Sequence, residues 1–252
     1  MAATGFIITF NAADGNSRAV LNSVEQGIYM TNRPDIIFPE LQVDHIEVLG
    51  WNSTISNNYG CFRDRQITLN LVARNYENFE KLLQFIGKFN SISAGGTIEF
   101  NYMRYLPNTV NIPYYYKFKP GIIYSVRDAK TIPEVDIQLT LEPFAYSTRV
   151  QSITTTGNSW CESEVKTPFI LSLNGSGDFW VNQEKITVTE SLMIDTELML
   201  AYTFENGIYV NKGTSCVCNM TKLMLKPQDN NLITKSNGIN SFSLTYRPTF
   251  FR

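Results

Sequence analysis

Short runs in which apolar and polar residues alternate recur along most of this 252-residue chain. The most regular run is Glu134–Glu142, where every second residue is Val, Ile or Leu, and Gln66–Val72 follows the same pattern. A period of two residues places one face of a strand in a core and the other in solvent. Gly, Pro, Asn and Asp residues separate the runs, as turns require. The pattern predicts a mostly β fold built from short antiparallel strands.

One segment has a helical period instead. From Phe79 to Ile86 apolar residues recur at i, i+3, i+4 and i+7, which forms a single apolar stripe on a helix. Asn75 is a suitable N-cap, and glutamates follow it in the first turn, where the helix dipole favours them. Ser93–Gly96 breaks the pattern. The spacing predicts one α-helix over about 75–89 that covers one face of a sheet.

The chain divides into two predicted domains. Residues 147–158 are polar and carry no long apolar pattern, so we place the boundary between 147 and 148. Domain 1–147 is expected to be β-sandwich-like with the inserted helix, with Leu41–Leu49 as a strand and Ser53–Gly60 as a loop. Domain 148–252 contains seven strand-like runs at regular spacing, which predicts a β-sandwich. One of these runs is Cys216–Leu225.

Composition excludes several classes of protein. Charged residues make up 17% of the chain and the net charge is −2, so the whole surface is not basic enough to attract nucleic acid. The chain contains no run of 18 or more apolar residues, so its sequence predicts no membrane span. The first residues lack the basic and apolar regions of a signal peptide, so we expect a soluble protein made in the cytosol.

The residues needed for metal binding or catalysis are sparse. The chain has four cysteines and one histidine, His45, which lies in an alternating stretch and is best explained as a strand residue on a polar face. Cys216 and Cys218 form a C-x-C pair whose thiols share one face of a strand, but no further ligands stand at metal-binding spacing. We therefore expect no metal, no cofactor and reduced thiols.

No catalytic motif stands out either. The glycine-rich Asn174–Asp178 lacks the lysine and the helix of a phosphate loop, so it is interpreted as a hairpin turn. Acidic pairs for hydrolysis could be drawn from Glu162, Glu164, Asp195 and Glu197, but their spacing fixes no catalytic separation. We expect no enzymatic activity and no catalytic residues.

Two aromatic features leave alternatives open. Tyr114, Tyr115 and Tyr116 precede basic residues, with Arg127 further on, and this pattern suits a half-buried strand, a stacking site for single-stranded nucleic acid or a subunit contact. We take these three tyrosines and Arg127 as the candidate subunit contact. Separately, Trp160 and Trp180 could stack on a sugar ring, but core packing is the simpler explanation.

Short, distinctive blocks of residues stand in the C-terminal part of the chain, over about the last 60 residues. They are Ile194-Asp-Thr-Glu197, Ala201-Tyr202, Gly207, Leu223-Met-Leu-Lys-Pro227, Asn230-Asn-Leu-Ile233, Gly238, Ser241-Phe-Ser-Leu-Thr-Tyr-Arg-Pro248 and the tail Phe250-Phe-Arg252. In these blocks the chain resembles the phage distal tail proteins. The order of strands and helix in the first domain is also similar to that family. One turn, Lys226–Asp229, departs from the Pro-Gly that the family commonly shows.

This resemblance implies a fold and a function. The first domain would form a hexameric ring, and the second would be a galectin-like, jelly-roll-type sandwich outside it. The implied role is a structural hub that joins the tail tube to the tail-tip protein, a tail-associated lysin-like protein, and to receptor-binding proteins. DNA would pass through the lumen without specific binding, and the particle would be assembled in the host bacterial cytoplasm. The alternatives are a carbohydrate-binding module and the hub of a phage-tail-like particle.

Overall fold

The computed structural model describes residues 5–12, 18–47, 54–100, 114–127 and 133–251. The chain divides into two compact units, Met1–Tyr146 with Phe251–Arg252, and Ser147–Phe250. Phe251 belongs to the first unit because its ring packs against two other rings of that unit. Its centroid lies 5.1 Å from that of Phe62 and 5.6 Å from that of Phe144.

The described part of the first unit contains one α-helix and ten strands. They are β1 Phe6–Ala12, β2 Arg18–Asn22, β3 Ile28–Met30, β4 Leu41–Glu47, β5 Thr54–Phe62, β6 Arg65–Ala73, α1 Tyr76–Ile92, β7 Ser93–Phe100, β8 Tyr114–Phe118, β9 Ile123–Arg127 and β10 Glu134–Ser147. The main sheet has the order β2-β1-β7-β8-β10-β6-β3, and β9 pairs with β10 beside β8. Strands β4 and β5 form a separate antiparallel pair.

Strand β10 organises this sheet. Its residues Glu134–Leu141 pair with β6, and Glu134–Gln138 also pair with β9 on the opposite edge. Every second side chain from Val135 to Leu141 is buried, in agreement with the alternation in the sequence. The core of the first unit is therefore built outward from this strand.

Helix α1 packs on the sheet through the stripe that its sequence predicts. Leu82, Ile86 and Phe89 are buried, and the ring of Phe89 lies 5.1 Å from those of Phe10 and Phe118. Asn75 caps the helix, because its Oδ1 accepts the backbone N–H of Asn78 at 2.9 Å. The predicted helix is confirmed, although it continues three residues beyond 89 to Ile92.

The glycines expected to end the helix lie inside strand β7. A Cβ atom on Gly96 would come within 2.7 Å of the carbonyl oxygen of Thr9 and of the ring of Phe118. Glycine is therefore required where β7 passes between its two neighbouring strands.

The second unit is a two-sheet β-sandwich. Its strands are β11 Gln151–Ile153, β12 Gly157–Trp160, β13 Phe169–Gly175, β14 Gly177–Val181, β15 Glu184–Val188, β16 Leu192–Asp195, β17 Leu200–Glu205, β18 Ile208–Asn211, β19 Cys216–Cys218, β20 Asn230–Lys235, β21 Ile239–Tyr246 and β22 Thr249–Phe250. One sheet has the order β11-β21-β13-β16-β17-β18, and the other β12-β20-β14-β15-β19. Phe179 and Phe242 join the sheets, with ring centroids 4.9 Å apart.

The predicted fold class, mostly β with one helix, is confirmed for the residues that the structure describes. Two details are corrected. Of the segment expected to be a loop, Ser53–Gly60, residues 54–60 belong to strand β5, which pairs along most of its length with β4, and Ser53 lies outside the described residues. The run Cys216–Leu225 is one short strand followed by a 3-10 turn at Met220–Lys222. The predicted likeness of the second unit to galectin stays a prediction.

Two substitutions in α1 are expected to change stability in opposite directions. Gly87 is exposed and open space surrounds the position of its missing Cβ, so Gly87→Ala should raise the free energy of unfolding by about 0.5–1 kcal/mol. Asn75→Ala removes the cap and should lower it by about 1 kcal/mol. Urea denaturation of the full chain measures both.

Gln84→Ala is the matched control, because Gln84 is an exposed residue of the same helix. Its effect should stay within about 0.5 kcal/mol of zero. A loss of stability in Gly87→Ala would contradict the helix packing described here.

Candidate subunit-contact surface

The three candidate tyrosines of β8 have different environments. Tyr114 packs against the edge of the core. Tyr115 faces outward and stacks on Tyr146, with ring centroids 5.6 Å apart and planes at 24°. The ammonium of Lys117 lies 4.5 Å from the centroid of the Tyr146 ring, a cation–π distance. The outer face of β8 is therefore covered in part by contacts within its own unit.

Tyr116 is a core residue and is removed from the candidate contact. Its side chain is 1% exposed, and its ring packs near Phe100 and under the guanidinium of Arg65, whose Cζ is 5.3 Å from the ring centroid. Arg65 is itself buried, and it donates to the carbonyl oxygen of Ile37. A second subunit could reach Tyr116 only if this packing were opened.

The exposed apolar side chains lie on the next strand, β9. Ile123 is 67% exposed, and Tyr124 and Val126 are each 48% exposed. The start of the strand is fixed by helix α1, because Asn90 both donates to the carbonyl and accepts from the N–H of Ile122. In the described part of the chain β9 pairs with β10 alone, so no described strand covers its other edge.

The sheet core continues onto this exposed strand. Val126 lies opposite Val135 of β10, which lies opposite Leu71 of β6, which in turn lies opposite Met30 of β3. The side chains of this row on β3, β6 and β10 are buried, and Val126 on β9 is half exposed. An additional strand beside β9 would therefore extend both the backbone ladder and the apolar row.

Arg127 lies at the end of β9 and holds it to β10. Its Nη2 lies 2.6 Å from Oδ2 of Asp136, while the side-chain amide of Asn70 donates to Oδ1 of the same carboxylate at 2.6 Å. The hydrogen bond from Asn70, followed by the charge and hydrogen bond of Arg127, lowers the pKa of the Asp136 carboxyl. The ionised pair therefore stabilises the β9–β10 edge at neutral pH and is lost as acid protonates Asp136.

The cysteines form no metal site in the described residues, where no three His, Cys, Asp or Glu side chains are grouped. Cys216 and Cys218 share one face of β19, as their spacing predicts, with Sγ atoms 3.6 Å apart. The hydrogen bond to Cys218 and burial raise the pKa of the Cys216 thiol. The side chain of His45 lies outside the described residues. No described helix is both long and apolar enough to cross a membrane.

The candidate acids have different surroundings. Oδ1 of Asp195 accepts the N–H groups of Glu197 at 2.9 Å and Leu198 at 3.0 Å, which closes the turn after β16. Glu162 lies on the surface near the side chain of Gln151. Glu164 donates its backbone N–H to the carbonyl oxygen of Thr249. Of the four candidates, Asp195 therefore has a structural role that its carboxylate contacts explain.

Both tryptophans lie on the outer face of the five-stranded sheet, so the expectation of core packing is wrong. Trp160 of β12 lies opposite Asn230, and Trp180 of β14 lies opposite Thr234, two positions on the same face of β20. Trp160 is 56% exposed. Trp180 is partly covered by Lys185, whose Nζ lies 5.8 Å from the ring centroid.

Comparison with known structures gives the class of fold. No protein-family model and no curated protein sequence matches the chain. The chain is similar to SPP1 Dit (gp 19.1), described as a paradigm of the hub adsorption apparatus in phages that infect Gram-positive bacteria. The TM-score is 0.67 at 9% identity, over 97% of this chain and 99% of that one.

Two structures of one phage baseplate give similar results. Chains of the phage P2 baseplate in its activated conformation match with TM-scores of 0.57 with calcium and 0.56 with strontium, each at 10% identity and over at least 97% of both chains. The chain therefore has the fold of phage tail hub and baseplate proteins. The predicted resemblance to distal tail proteins is confirmed at the level of the fold.

The turn at Asp195 provides a test of its structural role. Asp195→Ala removes the acceptor for two backbone N–H groups in a nearly buried turn, so the free energy of unfolding of the second unit should fall by about 1–2 kcal/mol. Asp195→Asn keeps the Oδ1 acceptor and should retain most of the stability. Thermal and urea denaturation compare the two variants, and equal losses in both would contradict the capping role.

Proposed function

We propose that this chain is a structural hub of a phage tail that forms a hexameric ring through its first unit. The observation that carries the proposal is the likeness over the whole length of the chain to a phage hub protein. Both units are matched, so the shared architecture is not limited to one common sandwich fold. The ring would join the tail tube to the tail-tip protein and to receptor-binding proteins, within the virion tail.

Strand β9 supplies the subunit contact in this proposal. A ring requires a head-to-tail contact between two different surfaces of the same chain. The exposed edge of β9 offers backbone groups for strand pairing, and Tyr124 and Val126 offer apolar surface that a neighbouring copy would bury. Tyr115 and Arg127 flank this area and complete the contact surface.

The charge of the chain suits the same role. A net charge of −2 gives no general attraction to the phosphate backbone, so DNA would pass through a ring of these chains without being held. The carboxylate of Asp195 closes a turn, and the proposed role needs no catalysis. An equivalent hub in a phage-tail-like particle would have the same structure.

The mass of the assembled protein tests the hexamer. A closed ring of six copies should have a mass of about 172 kDa, six times the 28.7 kDa of one chain. Native mass spectrometry and light scattering over a concentration series measure it, since association depends on concentration. A species that stays at the mass of one chain at every concentration, with and without the neighbouring tail protein, would contradict the proposal.

Val126→Asp tests the contact surface in the full-length chain. A carboxylate placed in a buried apolar contact should weaken association tenfold or more, by about 1.4 kcal/mol at least, and shift the population toward monomer. The full chain is used because Phe251 packs within the first unit.

Val20→Asp is the matched control. Val20 is 46% exposed on β2, an edge strand of the same sheet that does not pair with β9, so it has the same residue type and a similar exposure. It should assemble like the natural chain. Normal assembly of Val126→Asp would show that β9 lies outside the contact, and disruption by both variants would show that the contact is not confined to β9.

The second candidate function is carbohydrate binding, and the outward position of both tryptophans favours it. Trp160 and Trp180 lie on one exposed sheet face, where aromatic rings can stack on sugars. Trp160→Ala should abolish binding on a glycan array if this function is present. Tyr209→Ala, at an exposed aromatic residue on β18 of the other sheet, is the control and should leave such binding unchanged.

A further inference from the structure

The second unit contains an open cavity of about 320 Å³ beside the β14–β15 turn, a size at the lower end of small-molecule sites. The turn residues and the segment that precedes β20 form its walls. Its lining residues are Lys166, Val181, Asn182, Gln183, Glu184, Thr221, Lys222, Met224, Leu225 and Lys226. Val181 and Leu225 are buried at its base, with the half-buried Met224 beside them. The cavity thus joins an apolar base to a polar mouth.

Three lysines surround the mouth, and the backbone brings two of them together. Thr167 and Leu225 form an antiparallel bridge, with N–H···O distances of 3.2 and 3.0 Å in the two directions. In an antiparallel bridge the residue that precedes Thr167 lies across from the residue that follows Leu225. The backbone therefore places Lys166 beside Lys226. Like charges at facing positions repel, so this arrangement costs stability when nothing lies between them.

The pocket lysines differ from other lysines of the same unit. Lys185 forms an ion pair with Asp178 at 2.9 Å, and Lys212 forms one with Glu190 at 3.2 Å. Among the described residues, none of the three pocket lysines lies within ion-pair distance of a carboxylate. The lining has one carboxylate, that of Glu184, so its net charge is +2, three lysines less one glutamate.

The cavity wall is held rigid by a buried amide. Asn231 is fully buried, and its Oδ1 accepts the N–H of Lys226 at 2.8 Å and the side-chain amide of Asn182 at 3.0 Å. Its Nδ2 donates to the carbonyl oxygens of Lys226 and Asp229. The backbone at Lys226 and the turn at Asn182 are therefore fixed relative to each other before any ligand arrives. Such preorganisation reduces the entropy lost on binding.

We propose that this cavity binds a small organic dianion, with a phosphate monoester as the best-matched chemical class. The phosphate group lies between Lys166 and Lys226, where it replaces their repulsion with charge-assisted hydrogen bonds, and Lys222 completes the charge. The short carbon skeleton of the ligand lies against Met224 and Leu225. The side chains of Gln183 and Thr221 offer hydrogen bonds to its hydroxyl groups. This inference does not depend on the proposed hub function.

Glycerol 3-phosphate is the probe, and glycerol is its uncharged counterpart. Isothermal titration calorimetry and thermal unfolding of the full chain at low salt should show binding and a raised melting temperature with glycerol 3-phosphate and neither with glycerol. Inorganic phosphate should bind more weakly because it lacks the carbon skeleton. Glucuronate, with one charge, should also bind more weakly if the doubly charged group is what the site selects.

Lys166→Gln and Lys226→Gln test the two facing lysines. Each should weaken binding of glycerol 3-phosphate about tenfold or more, because each removes a charge-assisted hydrogen bond. Each should also raise the melting temperature of the free protein at low salt, because the repulsion between the two ammonium groups is gone. A residue needed only for folding would change stability in the opposite direction.

Lys185→Gln is the matched control, since Lys185 lies on β15 outside the lining and is paired with Asp178. Its binding of glycerol 3-phosphate should equal that of the natural chain. Three outcomes would overturn the proposal: no binding at millimolar probe, an equal response to glycerol, or equal binding by Lys166→Gln, Lys226→Gln and the natural chain.

Discussion

The first unit depends on the pairing of one long strand along both of its edges. Strand β10 binds β6 on one edge and β9 on the other, and its inward side chains from Val135 to Leu141 are all buried. Its partner β6 stands about seventy residues earlier in the sequence, with Gln66 and Gln138 joined by their side-chain amides. This long separation means that the sheet closes only when most of the unit has been made and helix α1 can cover it.

The parts of the fold that the sequence predicts well are those where local period and burial agree. The alternation in Glu134–Glu142 and the stripe of α1 are both strong, and both elements form as expected. Strand β5 was missed because Ser53–Gly60 is rich in polar turn formers, and its extended backbone comes from pairing with β4. The apolar run that ends at Leu225 was predicted to be strand throughout. Leu223 and Leu225 are buried as strand residues would be, but their backbone is irregular.

The candidate site was predicted only in part, because periodicity cannot tell an edge strand from a central one. Tyr116 and Tyr115 alternate as a half-buried strand should, and the structure places the first in the core. The exposed residues Tyr124 and Val126 have the same apolar character as buried ones, and only the pairing order of the sheet distinguishes them. The outward position of the two tryptophans could not be predicted for the same reason, because the sequence does not show which face of a strand packs in the core of a sandwich.

The short C-terminal motifs predicted the fold at 9% identity because their residues hold turns. Asp195 closes the turn after β16, and the buried hydroxyl of Thr196 both accepts from and donates to the backbone of Phe169. In the turn before β20, the side chain of Asn231 likewise accepts the N–H of Lys226 and donates to its carbonyl oxygen. Few other residue types can stand at these positions, because each of these side chains supplies hydrogen-bond partners to backbone groups of a buried turn.

If β9 is the subunit contact of the proposed ring, its exposed apolar edge also sets a kinetic problem for the newly made chain. An uncovered edge strand can accept other extended segments, and random strand addition leads to aggregates. Ordered closure and irregular growth both accelerate with concentration, so their balance depends on how quickly a correctly folded neighbour is at hand. Production of many copies at one site would favour ordered closure, because a correctly folded neighbour would then reach the edge before an unfolded segment does.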